Sequence, residues 1–415
     1  MIVQSCLLDL AAAAGDYSYI NTGHSLTDIP ADIPNNTTLL QLRNNHLFVI
    51  RPGELSHLTE LNRIDLSQNN FHEFPYLCDV NETIKQVVLN GNVQLVNVSN
   101  HTHLVCLGKL NYLDISWTGV SSIPDLSAIG STLTRLDIRS VGLSTIEAGD
   151  FSGLEVINTL QLQGNTFTSM PDFSEIGSTL KYVNLQSNEI SAVNPDVFYA
   201  MERLEYLVLA NNQLQEFPDF GEAAQTLKQV FVKNNPLTTI QTSALTSIVN
   251  LKTIGFGGTA LTEIPDITPL GGSLETLSIQ HTTLASLPLF ANMTALRSLT
   301  ISDNLNLSDI EADFFHGMNS LRYLDLSNTA ITLLPDLTQI ADTLEELHLQ
   351  QLPLTSLPYH QMAHLPALKV WKMSLFSEIY AAISFVHKAW DIYSNYLLST
   401  IVIDQLVQEL CDAVC

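Results

Sequence analysis

Leu204-Glu205-Tyr206-Leu207-Val208-Leu209-Ala210-Asn211-Asn212 is the stretch that decides the fold. It has the form L-x-x-L-x-L-x-x-N, and the same frame returns every 22 to 26 residues from Thr37 to Phe376. Self-similarity at that period means a stack of like units: none can bury its apolar face alone, and neighbours build one continuous core. The closing position of the frame falls at Asn45, Asn69, Asn92, Thr118, Val141, Asn165, Asn188, Asn212, Asn235, Thr259, Thr282, Asn304, Thr329, Leu352 and a degraded Phe376, which makes fifteen turns. Within a turn the alternation predicts a short strand. Leu207 and Leu209 face the core, while Tyr206, Val208 and Ala210 face the other way.

Where the closing residue is Asn, its amide can satisfy backbone groups left unpaired as the chain leaves the strand, and stacked amides can form a ladder. Val141 and Leu352 lack such a group, so water or a neighbouring turn must supply it. The segments that follow are of two kinds. One places a bulky residue ten positions on, at Leu55, Phe151, Phe198, Leu245 and Met362, or eleven on, at Phe315. The other runs apolar-Pro-Asp-apolar, as in Ile123-Pro124-Asp125-Leu126 and Ile264-Pro265-Asp266-Ile267. Proline fixes φ and removes a donor, which predicts extended or short 3₁₀ outer segments and no long helices.

Length does not divide such a stack into several domains, because it grows by addition. The 415 residues carry 17 basic against 42 acidic side chains, a formal charge of −25 that disfavours nucleic-acid phosphates and anionic lipid as partners. With 46% hydrophobic and only 14% charged residues, the chain has apolar side chains enough for a long core. No stretch is long and apolar enough to span a membrane. Residues 1–16 have the apolar core and small-residue end of a signal peptide without its basic start, and read as a signal peptide or an N-terminal extension. Residues 377–415 change to helical spacing and read as a helical C-terminal cap or tail.

The run Leu26-Thr27-Asp28-Ile29-Pro30-Ala31-Asp32-Ile33-Pro34, leading through Thr37 and Thr38 into Leu40-Gln41-Leu42-Arg43-Asn44-Asn45, resembles the N-terminal flank and first repeat of extracellular leucine-rich repeat proteins, the class of Toll-like receptor ectodomains and small leucine-rich proteoglycans. The resemblance covers about residues 17–376. It implies an N-terminal cap over 17–36 and repeats over 37–376, in an α/β repeat solenoid: a leucine-rich repeat arc with a parallel concave β-sheet. It also implies a non-enzymatic module at the cell surface or outside the cell, binding a protein or glycoprotein on its concave face; a cytoplasmic scaffold is the alternative.

No nucleophile, base and orienting group converge in the sequence, and neither a cofactor nor a metal is expected. Gly255-Phe256-Gly257-Gly258 lacks the lysine of a phosphate loop and lies in the strand frame. Cys78 and Cys106 fall on the outer parts of neighbouring turns; a disulfide suits them, free thiols are the alternative, and a zinc site with His101 and His103 is a third reading. Sequons for N-glycosylation begin at Asn35, Asn36, Asn81, Asn97, Asn100, Asn292 and Asn306, a number only slightly above chance for this composition.

The exposed strand face is where function is expected. The position between the two core residues of each strand is polar except in the middle of the array. There Tyr182, Tyr206, Val208, Ala210, Phe231 and Lys233 are predicted to form a protein-binding patch, since aromatics on a face the fold does not need mark contact sites. The glycines beside it predict a flat shelf. Arg63, Asp65, Asp114, Arg135, Asp137 and Arg139 form a second, charged strip whose opposite charges are expected to neutralise one another.

Overall fold

The computed structural model describes residues 17–96, 98, 101–290, 292–355 and 364–373. The readings of residues 1–16 and 377–415, of Met362 and of Asn97 and Asn100 lie outside the described residues. The chain forms two compact units, one of Met1–Val208 with Gly221–Ala223 and one of Leu209–Phe220 with Ala224–Cys415.

In the first unit the strands are β1 (Ser18–Ile20), β2 (Leu39–Gln41), β3 (Arg63–Asp65), β4 (Gln86–Val88), β5 (Tyr112–Asp114), β6 (Arg135–Asp137), β7 (Thr159–Gln161), β8 (Tyr182–Asn184) and β9 (Tyr206–Val208). Each pairs in parallel with the next, in an unbroken register that aligns Leu40 with Ile64, Leu113 with Leu136 and Val183 with Leu207. The second unit repeats this with β10 (Gln229–Phe231), β11 (Thr253–Gly255), β12 (Thr276–Ser278), β13 (Ser298–Thr300), β14 (Tyr323–Asp325), β15 (Glu346–His348) and β16 (Val370–Lys372). This is the α/β repeat solenoid expected from the frame, with three-residue strands and few helices. One strand was not anticipated: β1 lies within the predicted cap and covers the edge of β2, with Ile20 62% exposed.

The core columns are closed to solvent. Leu204, Leu207 and Leu209 are fully buried, as are Leu55, Phe198, Leu245 and Phe315 among the bulky outer residues. The outer segments are short, as proline demanded: 3₁₀ turns at Ser127–Ile129, Thr268–Leu270 and Thr338–Ile340, and among the described residues no helix longer than Gly221–Gln225 or Thr242–Thr246. The Asp of each Pro-Asp pair starts the turn after it. Asp125, Asp266 and Asp336 accept the backbone N–H of Ser127, Thr268 and Thr338 at 3.0, 2.9 and 2.9 Å. Those bonds from the Thr268 hydroxyl and N–H hold the Asp266 carboxyl below the usual range. Neighbouring outer turns also approach closely: a Cβ on Gly130 would lie 1.9 Å from the Gly153 carbonyl oxygen, so only glycine fits.

Within each unit the closing asparagines tie a turn to the one before. Asn69 donates to the Leu66 and Leu42 carbonyls at 3.0 and 2.9 Å and accepts the Leu47 N–H at 3.0 Å. The amides therefore bridge backbone groups and do not bond to one another. A threonine at the same position does less, Thr118 reaching only the Ile115 carbonyl, at 2.6 Å. At Val141 the next turn supplies what valine lacks: Asn165 Oδ1 accepts from Val141, Gly142 and Leu143, each at 3.1 Å.

The residue before the closing position is left-handed along the stack, from Asn44 (φ 59°) and Gln68 (φ 53°) to Asn328 (φ 55°) and Gln351 (φ 58°). That conformation swings the chain off the strand, and short polar residues hold it cheaply. Trp117, at φ 56°, is the bulky exception.

Candidate functional site

Alternate strand residues leave the core and form a face that the fold leaves free to vary. In the first unit its most built part spans β5 to β7. Asp137, with no exposed surface, accepts a bidentate pair of bonds from Arg135, Nε to Oδ1 and Nη2 to Oδ2, both 2.9 Å. It also accepts one from Arg139. The Arg135 guanidinium lies 4.9 Å from the centre of the Tyr112 ring, and the Tyr112 hydroxyl donates to Asp137 at 3.2 Å. Burial opposes the charge on Arg135, but the bonds to Asp137 and its negative charge raise the guanidinium pKa.

Asp114 has no such cation in contact. Its oxygens accept from the Ser116 N–H at 2.9 Å and the Asn90 amide at 3.2 Å. Burial pushes its carboxyl up, and the Asp137 charge adds to the shift. Burial, with Asp137 and Asp114 beside it, likewise raises the Tyr112 phenol. Within the strip the ion pairs gather at Asp137, which meets Arg135 and Arg139. At the near end Asp65 turns back on its own strand, accepting from the Ser67 N–H at 3.0 Å, and Arg63 Nε is buried without a partner.

The aromatic residues predicted to bind protein are divided between the two units. In the first, Tyr182 and Tyr206 stand side by side on β8 and β9, half-buried, with ring centres 6.1 Å apart. Val208 does not share their exposure: it is 5% exposed, because a short side chain on a sheet face is overtopped by the longer ones beside it. In the second unit Ala210, at 2% exposed, is covered for the same reason, while Phe231 is half-buried and Lys233 exposed. Surface for contact therefore comes from Tyr182, Tyr206, Phe231 and Lys233, and not from Val208 or Ala210. The glycine-bearing turn packs as expected, with Phe256 fully buried.

Away from the strand face, Cys78 and Cys106 are joined in a disulfide with Cα atoms 5.5 Å apart. The bond takes up both sulfurs and so removes the free-thiol and zinc readings. The sequons at Asn35, Asn36, Asn292 and Asn306 are exposed, that at Asn81 is half-buried, and all five lie outside the strands. Two features escaped the sequence reading. Trp117 is 60% exposed at the rim of the face beside Ser116, and its left-handed backbone could have been found from its place in the frame. The other is the uncharged hydroxyl surface of β11 to β13, whose residue types carry no motif.

A family model described as "Leucine rich repeat" matches residues 178–220 and 272–331. Mouse Toll-like receptor 7 is 25% identical over 143 residues, covering 34% of this chain and 12% of the receptor. Human Toll-like receptor 2 is 29% identical over 149 residues, 32% of this chain and 19% of the receptor. Mouse platelet glycoprotein Ib alpha chain is 28% identical over 138 residues, 33% of this chain and 15% of that protein. The matched segment thus spans less than a fifth of each of these relatives. Among solved structures, the Drosophila Toll–Spätzle complex matches with TM-score 0.62 and 19% identity over 82% of this chain and 51% of that one. The complex of TLR13 with ssRNA13 matches with TM-score 0.60 and 17% identity over 83% and 70%. At those identities the structures speak for the fold alone. Together with the frame, the parallel strands and the bridging asparagines, these matches make the chain a leucine-rich repeat solenoid that resembles Toll-like receptors over the matched segments.

Proposed function

We propose that the chain is a non-enzymatic recognition module, held outside the cell or at its surface, that binds a protein or glycoprotein ligand through its strand face. The observation that carries this reading is the half-exposed Tyr182–Tyr206 pair, two large amphipathic rings 6.1 Å apart on a face where core packing asks for neither. In the second unit Phe231 and Lys233 offer contact surface of their own. The net charge of −25 selects against nucleic acid and favours a ligand that is neutral or basic.

The extracellular setting is supported by the Cys78–Cys106 bond, since disulfides persist in oxidising compartments, and by the five sequons among the described residues, which sit off the strands. Both weigh against the cytoplasmic scaffold.

The test is a binding screen of the full chain against purified secreted proteins and cell-surface ectodomains. Tyr182→Ala with Tyr206→Ala should abolish capture of the ligand so found while the melting curve stays in place. Capture that survives the double substitution refutes the assignment of the tyrosines. Mass spectrometry of the native protein should find glycan on at least one of Asn35, Asn36, Asn292 and Asn306; bare sites together with reduced cysteines would favour the cytoplasmic alternative.

A further inference from the structure

The strand face of the second unit changes character between Phe231 on β10 and Tyr323 on β14. Over β11, β12 and β13 it presents Thr253 and Gly255, Thr276 and Ser278, then Ser298 and Thr300, with Gln280 just beyond β12. None carries charge, in a chain of net charge −25. The charges nearest the ends of these strands pair with one another. Glu275 takes Lys252 at 3.1 Å and Arg297 at 3.9 Å at one end, and His281 faces Asp303 at 3.5 Å at the other.

The hydroxyls of Thr253, Thr276, Ser278, Ser298 and Thr300 and the Gln280 amide belong to half-buried residues, and among the described residues these side chains make no hydrogen bond within the protein. On the first unit's face Asp114, Asp137 and Asn184, by contrast, accept hydrogen bonds from Ser116, Arg135 and Gln186. The second unit therefore keeps a shelf of open hydrogen-bonding capacity. An aromatic bounds it on each side: Phe231 is half-buried, and Tyr323 is braced by His348, with its hydroxyl 3.2 Å from Nδ1 and the ring centres 5.0 Å apart. Four strand spacings separate β10 from β14, on the order of 19 Å.

We propose that this shelf binds an uncharged oligosaccharide, such as the glycan of a glycoprotein ligand. Hydroxyl groups both donate and accept, so a surface of unpaired hydroxyls and an amide is best matched by a ligand equally dense in hydroxyls. The lack of charge on the shelf, within an acidic chain, selects a neutral sugar over a sialylated, sulfated or phosphorylated one. Phe231 and Tyr323 give the C–H faces of sugar rings something flat to lie on. A peptide strand has no sheet edge to extend here, because β11 to β13 are paired on both sides, and an amphipathic helix would find no apolar groove.

The inference rests on the reading of the chain as an extracellular recognition module. Its test is an array of neutral, sialylated and sulfated oligosaccharides probed with the purified full chain. Gly255→Trp fills the shelf: a Cβ there meets nothing closer than Ser278 Cβ at 3.9 Å, and the backbone is not left-handed. Neutral oligosaccharides should bind, Gly255→Trp should raise their Kd at least tenfold, and Ser278→Ala with Thr300→Ala should weaken them without moving the melting temperature. The second variant keeps the test sharp should the tryptophan disturb folding. Absence of neutral-sugar binding, binding confined to anionic sugars, or binding indifferent to both variants would overturn the proposal. A protein ligand captured through Tyr182 and Tyr206 in the face of such a result would leave the proposed function standing and only the shelf assignment lost.

Discussion

Asn165 shows how much of this fold hangs on the amide ladder. Its Oδ1 accepts three backbone N–H groups of the preceding turn at 3.1 Å, and its Nδ2 donates to the Ile138 and Leu162 carbonyls at 2.8 and 2.9 Å. Asn165→Ala strands four of these groups, since Asn188 Nδ2 still donates to the Leu162 carbonyl at 3.2 Å. Those of Gly142 and Val141 can turn to water, while the Leu143 N–H and the Ile138 carbonyl belong to buried residues. An unmade buried hydrogen bond costs roughly 1–3 kcal/mol, so the two cost about 2 kcal/mol even at the low end. Thr118→Val, which removes one bond to the Ile115 carbonyl, should cost about 1 kcal/mol. Urea unfolding followed by circular dichroism gives both values if the slope is unchanged. Because neighbouring repeats can open without the whole array, hydrogen exchange at the Leu143 amide should rise in step. If Asn165→Ala were no more destabilising than Thr118→Val, the ladder would be a passenger and the argument from unpaired backbone would fail.

Two further outcomes follow from the first unit. Asp114 has a folded-state pKa above its unfolded one, so the folded chain holds the proton more tightly and stability is lost as pH rises through that window, from about 3.9 upward. Asp114→Asn should therefore stabilise at pH 7, and the gain should shrink towards pH 4 in melting curves taken across the range; a gain independent of pH would contradict the assignment. The Cys78–Cys106 bond closes a separation of 28 residues, for which chain entropy gives about 3.6 kcal/mol. Reductant should lower the melting temperature of the wild-type chain and leave a Cys78→Ser, Cys106→Ser variant unmoved, and equal response of the two would deny the bond.

The amino-acid sequence by itself determined the architecture. A nine-residue frame returning every 22 to 26 residues leaves one solution, because only stacking buries Leu204, Leu207 and Leu209 and their counterparts, and proline in the outer segments bars long helices. It left three readings open for Cys78 and Cys106, of which the structure has the disulfide. What it did not decide is which side chains of the strand face are open. Val208 and Ala210 follow the alternation outward and still end up covered, because exposure depends on the height of neighbours some 20 residues away in sequence and one strand away in space. The hydroxyls of β11 to β13 were legible as residues but not as a shelf. That they lack partners and sit between Phe231 and Tyr323 is a property of register, which only the tertiary structure fixes.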